Sequence, residues 1–436
     1  VLLLKKLAEE SVQGGPGGWF GNGGISSSER KTFFADMAKK LDGASLAQLS
    51  NAYSATDSKG IDGLNRTKEL AEAIATHSSP QTKIDFVKAQ AANTTDQRTV
   101  SDYGMVSRSI DADPQAAALA TVIGSMRGDQ AAAAFKALSP EQLRSVMNSG
   151  IEGTMTTTAM GGTASTSFDW NTKSFDGLMT AAASIRDPDL KARIFDAGVD
   201  TMRSVRETDS FLGQPVMIGK DATLSKMADG LTKIIDSDVN GVVSELNRNG
   251  TTRDGSDLAG YAAQMLASGK EAKLGEQMAK LQMGNGNNEN PIDRLYQTRQ
   301  VPGTPVSDPT RPNAESLGYF VGAVTKGAEF VTKSVAEQRE MTTAVLKSAL
   351  TIVDKASGFI PNKAIGAPIA ITASVAKEWV SMGVRAAIDD PTAGAGRQLS
   401  RAALPVDPRT DETAVGQNVT DAFDGARNRV LNDATP

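Results

Sequence analysis

The segment DSDVNG has residues of the type and spacing of a calcium-binding loop. Asp236, Asp238 and Asn240 take loop positions 1, 3 and 5, and a glycine follows them. Calcium takes about six to eight oxygen ligands, so such a loop needs a bidentate carboxylate at its twelfth position. That position holds Asn247. We therefore favour the alternative, in which Asp236 or Ser237 caps the next helix.

A second candidate for chemistry is Glu315 in the segment AESLGY. The Glu-Ser pair is similar to that of lytic transglycosylases, and it implies one buried glutamate that acts as a general acid. The glycine-rich and aromatic pattern downstream in that family is missing. A helix that begins near Asn313 explains the same residues, because an acid in its first turn favours the helix dipole.

Histidine and cysteine chemistry is sharply limited. The chain contains no cysteine and only one histidine, His77, which excludes disulfides, Cys nucleophiles and thiolate metal sites. His77 lies at the end of a predicted helix, where the dipole favours a cation. We expect no cofactor and no metal.

Composition predicts a helical protein. Hydrophobic residues make up 39% and aromatic residues 5% of the chain, which favours closely packed Ala-rich helices over sheets. The 46 basic and 51 acidic residues are spread evenly, so we expect no nucleic-acid partner. No signal peptide is visible, and the composition is compatible with the bacterial cytoplasm, with secretion or with injection.

Similar segments recur along the chain. KKLDGASLAQLSNAY, KALSPEQLRSVMNSG and KIIDSDVNGVVSELN each contain a helix end, a polar break and a new helix. LAEAIATHSSPQTKIDFVKAQ and LMTAAASIRDPDLKARIFDAG share a proline break, which Gly269 replaces in YAAQMLASGKEAKLGEQMAKLQ. These patterns predict stacked helical hairpins. The alternative is that Ala-rich hairpins resemble one another by chance.

The predicted fold class is all-α, an array of repeated helical hairpins followed by a small C-terminal helical bundle. Residues 150–170, rich in Gly, Thr and Ser, read as a long exposed loop with a little strand character. The predicted organisation is an N-terminal helix with a Gly-rich linker (1–24), the hairpin domain (25–283), a Pro/Asn/Gly-rich linker (284–313), an apolar bundle of three helices (314–390) and a polar tail with a short helix (391–436).

The apolar stretch NKAIGAPIAITASVAKEWVSMGV raises the question of a membrane span. Its uncharged run between Lys363 and Lys377 is shorter than the roughly 20 residues that a span needs. In the helix predicted before it, large apolar residues form a stripe, and Gly318 and Gly322 allow a close helix contact in water as in lipid. We predict a soluble core; the alternative is conditional insertion of the bundle into a bilayer.

The LSPEQLRSVMNSG hairpins, the linker and ESLGYFVGAVTKG together resemble helical regions of large uncharacterised bacterial proteins, among them delivery or pre-toxin parts of polymorphic toxins and secreted effectors. The resemblance implies a non-catalytic body. We therefore expect a non-enzymatic structural or interaction module with a protein partner, which binds through grooves between hairpins or through residues 150–170. The alternatives are a membrane-active effector and a helical peptidoglycan-cleaving enzyme. The oligomeric state stays open.

Overall fold

A computed structural model describes most of the chain. The described residues are 27–55, 61–92, 98–102, 106–149, 153–159, 162–168, 172–207, 220–248, 255–283, 311–332, 334–357 and 414–434. They form two compact units, Val1–Ile234 and Ile235–Pro436. Helices dominate both units, which confirms the predicted helical class.

The helices of the first unit are α1 (Ser27–Lys40), α2 (Gly43–Ala55), α3 (Ile61–His77), α4 (Pro80–Ala91), α5 (Pro114–Gly124), α6 (Gly128–Lys136), α7 (Pro140–Ser149), α8 (Thr172–Ala183), α9 (Pro188–Glu207) and α10 (Lys220–Ser237), whose last residues belong to the second unit. The second unit continues with α11 (Val239–Arg248), α12 (Ser256–Ala267), α13 (Glu271–Met283), α14 (Arg311–Val331), α15 (Val335–Ser357) and α16 (Ala414–Asp433).

The predicted breaks between helices are built from local capping. Asp42 precedes α2, and its Oδ1 accepts the Ser45 N–H at 2.8 Å. This bond is the main reason why the pKa of Asp42 lies below its usual value. Ser139 precedes α7, and its Oγ accepts the Gln142 N–H at 3.2 Å while Gln142 Oε1 accepts the Ser139 N–H at 2.9 Å. This reciprocal pair is a capping box, which fixes the start of α7.

The second repeated segment also folds as predicted. Pro80 and Pro188 are the first residues of α4 and α9, where the missing proline N–H costs no helical hydrogen bond. Leu70 and Leu178, at equivalent places before them, are fully buried. Gly269 follows α12 with a φ of +68°, a left-handed conformation that ends the helix and that glycine adopts readily.

The helical array also carries a small sheet. Its strands are β1 (Arg98–Asp102), β2 (Val106–Ala112), β3 (Gly153–Ala159) and β4 (Gly162–Phe168). All neighbours are antiparallel in the order β1-β2-β3-β4. The loop predicted over 150–170 is therefore wrong where β3 and β4 form a hairpin. The helical pattern predicted across β1 and β2 is also wrong.

The second unit is organised around α14, which contacts α11, α12, α13, α15 and α16. Every residue from Ser316 to Thr325 is buried, so α14 is covered on all sides and the predicted single apolar stripe is wrong. Small residues explain the difference, since a Cβ added to Gly318 would clash with the Phe423 carbonyl oxygen. The Gly318–Gly322 spacing thus serves a helix contact within the unit.

Two helices of the predicted C-terminal bundle correspond to α14 and α15, and the short terminal helix corresponds to α16. The third bundle helix lies outside the described residues. So do residues 1–24, residues 284–310 of the linker and the apolar stretch NKAIGAPIAITASVAKEWVSMGV. Those predictions stay predictions.

Candidate interaction site

Asp236 and Asp238, two residues of the candidate calcium loop, have different hydrogen-bond partners. Asp238 caps α11, and its Oδ1 accepts the Gly241 N–H at 3.0 Å. The predicted cap at Asp236 or Ser237 is therefore wrong by one or two residues. In the chain segments that the structure describes, no group of three or more acidic or histidine side chains is arranged to hold a metal ion.

Asp236 instead belongs to a polar cluster between helices of the second unit. Its Oδ2 lies 2.8 Å from Lys273 Nζ, and its Oδ1 accepts a hydrogen bond from Gln277 Nε2 at 3.1 Å. Desolvation lowers the pKa of Lys273, but hydrogen bonds to Asp236 and Glu276 outweigh it, and the pKa is raised. Gln277 is fully buried and also donates to Tyr261 Oη at 3.0 Å. The cluster thus joins the end of α10 to α12 and α13.

The helix predicted to begin near Asn313 begins at Arg311 as α14, and its first turn holds no acidic residue, so the predicted first-turn position of Glu315 is wrong. Glu315 is half-buried near the start of α14, beside the buried Ala314 and Ser316. His77 is the last residue of α3 and is exposed. A catalytic role for Glu315 stays a hypothesis.

The four-stranded sheet is the feature of the first unit that could meet a partner. Two hairpins from different places in the chain form it: β1 and β2 lie between α4 and α5, and β3 and β4 lie between α7 and α8. The hairpins join where β2 pairs with β3, with Ile110 opposite Met155. The two hairpins come from different places in the chain. The helices that carry them must therefore be held in fixed positions for β2 and β3 to pair in this register.

Asp113 provides the first part of that base. It follows β2 directly and caps α5, because its Oδ1 accepts the N–H groups of Gln115 and Ala116, each at 3.0 Å. Its Oδ2 accepts a hydrogen bond from Ser145 Oγ in α7 at 3.2 Å. One buried carboxylate therefore fixes the exit of β2 and holds the helix that leads to β3.

Gln142 provides a second connection at the same base. While its Oε1 completes the α7 capping box, its Nε2 donates to the carbonyl oxygen of Ala91, the last residue of α4. Since α4 precedes β1 and α7 precedes β3, this side chain ties together the helices before the two hairpins.

A cluster of carboxamides extends the base into the helical core. Asn51 Oδ1 accepts hydrogen bonds from Gln90 Nε2 at 2.8 Å and from Gln115 Nε2 at 2.9 Å. Gln90 is fully buried. Buried side-chain hydrogen bonds of this kind fix relative helix positions, because an unsatisfied amide would cost about 1–3 kcal/mol. The cluster thus links α2, α4 and α5. We refer to Asn51, Gln90, Asp113, Gln115, Gln142 and Ser145 as the sheet base.

A half-buried lysine in α4 connects this helix to α3 and α5. Lys83 Nζ in α4 donates to the carbonyl oxygen of Ala75 at 2.6 Å and to Ser125 Oγ at 3.2 Å. It thereby lies at the C-terminal ends of α3 and α5, where a cation is favoured. Burial lowers the pKa of Lys83.

The two outer strands of the sheet differ. Strand β1 has Arg98 and Asp102 at its ends and contacts α3. Strand β4 has no charged residue, and within the described residues its only strand partner is β3. Natural sheets usually protect an outer strand with charges, proline or a covering element. Strand β4 therefore presents an edge without the usual sequence protection.

Comparisons with known proteins give no relatives. No protein-family model matches the chain, and neither curated proteins nor solved structures give a significant match. The resemblance to secreted effectors and polymorphic toxins therefore stays a prediction. No helix among the described segments has both the length and the hydropathy needed to cross a membrane.

Sequence reasoning missed the sheet base and most of the sheet. A signal for the second hairpin is present, since GTMTTTA and GTASTSF share the pattern G-T-x-[ST]-T-[ST]-x and are separated by two residues. Threonine favours strands, and a two-residue connection favours a hairpin. The residues of the sheet base carry no comparable signal, because the hydrogen bonds that connect its helices join positions far apart in sequence.

Proposed function

We propose that the chain is a non-enzymatic helical interaction module, in which the first unit presents the β4 edge to a polypeptide partner. One observation carries the proposal: β4 ends a sheet that is anchored in a helical body, and its edge lacks charge and proline. Such an edge offers backbone N–H and C=O groups to an added strand. The resemblance described above supports a bacterial secreted or effector-like protein as the setting.

The sheet base supports the proposal energetically. Strand addition depends on a rigid edge, since ordering a flexible segment on binding consumes part of the interaction free energy. Asp113 and Gln142 hold the helices that flank both hairpins. These hydrogen bonds support the proposal of a preformed edge, because they hold the helices from which both hairpins extend.

Site-specific photo-cross-linking tests the proposal. A benzophenone amino acid is placed at Thr163 in β4, and at two exposed helical positions as controls, Gln48 in α2 and Lys347 in α15. The full-length variants are irradiated in bacterial cells. We expect polypeptide adducts mainly from the β4 position. The absence of adducts at Thr163, or equal yields at all three positions, would contradict the proposal.

A further inference from the structure

Strand β4 has the same residue pattern as the strand that already pairs with it. GTMTTTA in β3 and GTASTSF in β4 both follow G-T-x-[ST]-T-[ST]-x. In the hairpin, the first residue of β3, Gly153, lies opposite the last residue of β4, Phe168, and the register continues through Thr156 opposite Ser165. The residue pattern of the strand that pairs with β4 within the chain is therefore also the residue pattern of β4.

We infer that a second copy of this chain pairs with β4, through an antiparallel β4–β4 contact centred on Ser165. This inference rests on the proposed function and names its partner. Applying the β3–β4 register to two β4 strands places Gly162 opposite Phe168 and Thr163 opposite Ser167 of the other copy. Ser165 then lies opposite its own counterpart on a twofold axis.

The backbone geometry is compatible with this pairing. Alternate residues of an antiparallel strand bond to one neighbour, and the N–H and C=O groups of the remaining residues face the other side. Among the described residues, the β4 groups that do not pair with β3 have no strand partner, and we infer that the second copy pairs with them. The contact is isologous, so it closes as a dimer and joins two four-stranded sheets into one of eight strands.

The charge of β4 is compatible with a second copy as its partner. Each chain has a net charge of −5, which opposes close approach of two copies at most surfaces. The proposed register brings no charged residue of β4 opposite a like charge, and it places Thr163 opposite Ser167 and Ser165 opposite Ser165, which are favourable hydroxyl pairs.

Cysteine cross-linking tests the axis directly, because the chain has no cysteine of its own. Directly opposed residues of an antiparallel pair have Cα atoms about 4.5–5.5 Å apart, within the range for a disulfide. We expect Ser165→Cys in the full chain to form a disulfide-linked dimer under mild oxidation. The control variants Thr163→Cys, two residues from the axis, and Val100→Cys, in β1, should form no disulfide-linked dimer under the same conditions.

A mixed variant of Thr163→Cys with Ser167→Cys chains should cross-link again, since the register opposes these positions. The absence of a disulfide-linked Ser165→Cys dimer after oxidation, or equal cross-linking of all single variants, would overturn the inference. Ser165→Cys is nearly isosteric with the wild type, so loss of folding does not confuse the result.

Sedimentation velocity provides a test without oxidation. We expect the wild-type chain to dimerise, and Ser165→Lys to weaken the dimer by about tenfold or more, because like charges would lie opposite each other on the axis. An equimolar mixture of Ser165→Lys and Ser165→Glu chains should recover the dimer. A monomeric wild type that still forms adducts with other polypeptides from Thr163 would overturn the self-pairing and leave the proposed function standing. A monomeric wild type without adducts would overturn both.

Discussion

Two regions of the molecule use small and hydroxyl residues in opposite ways. In α14 the glycines bring helix backbones together, so that Gly318 and Gly322 lie against Phe423 and Arg427 of α16. In β4 the threonines and serines form an outer strand, and β3 is its only strand neighbour among the described residues. The first region is buried at every residue from Ser316 to Thr325, whereas the second has a strand neighbour on one side only among the described residues.

The two regions are expected to have different roles: α14 stabilises the fold, and β4 recognises a partner. Gly318 and Gly322 leave no room for a Cβ against the backbone of α16, and we expect this close packing to make a large contribution to stability. We propose that the sheet serves recognition, because the sheet base holds the helices that flank both hairpins and, among the described residues, β3 is the only strand that pairs with β4. Function is thus expected where packing is incomplete, and the largest destabilisation is expected where packing is complete.

The largest expected effect is that of Gly318→Ala. The added methyl group meets the Phe423 backbone, which cannot move as a flexible side chain would. We expect the free energy of unfolding to fall by about 1–3 kcal/mol, measured by urea titration with far-UV circular dichroism. Gly425→Ala is the matched control in α16, because nothing lies within 4 Å of the added Cβ. This control should stabilise by about 0.5–1 kcal/mol. A neutral Gly318→Ala would contradict the close-packing account.

A smaller effect is expected at the sheet base. Asp113→Ala removes the α5 cap and the bond from Ser145 Oγ, and we expect a loss of about 1–2 kcal/mol in the same titration. Asp113→Asn keeps a capping oxygen and should lose less than half of that amount. If the sheet base positions the edge, Asp113→Ala should also reduce photo-adducts at Thr163. Unchanged stability and unchanged adducts would remove the sheet base from the account.

The smallest effect concerns an exposed ion pair of the first unit. Lys136 Nζ lies 2.8 Å from Asp187 Oδ2, and this hydrogen bond is the main reason why the pKa of Asp187 lies below its usual 3.8. A lowered carboxyl pKa stabilises the fold above the unfolded value, and that contribution disappears as the pH falls through the folded value.

Asp187→Asn should therefore be less stable than the wild type near pH 6, by under about 1 kcal/mol for so exposed a pair. The difference should shrink in titrations below pH 3.8. A difference that is constant with pH would assign the effect to the capping bond from the Leu190 N–H instead.

Sequence predicts the helices of this chain well because their signals are local. Ser139 and Gln142 lie three residues apart, and Pro188 marks the first residue of its helix without reference to any partner. The cap of α11 was placed on the wrong residue because DSDVNG offers three capping residues in sequence. Only the structure selects Asp238.

The sheet and the surroundings of α14 could not be predicted for the opposite reason. Pairing of β2 with β3 joins Ile110 to Met155 across an intervening run of helices. The burial of Gly318 depends on α16, about a hundred residues later in the chain. Neither partner can be identified from the periodicity of one segment. Of the candidate site, only residues 150–170 were proposed from sequence as a contact.

Residue-resolved amide hydrogen exchange on dilute full-length protein tests the open edge most directly. We predict a period-two pattern across residues 162–168, with amides that bond to β3 protected and the alternate amides exchanging fast. The buried amides of α14 from Leu317 to Thr325 should be uniformly protected. Uniform protection of all β4 amides would show an edge already covered within the chain. Uniformly fast exchange would show that β4 forms no strand, and either result would contradict the account.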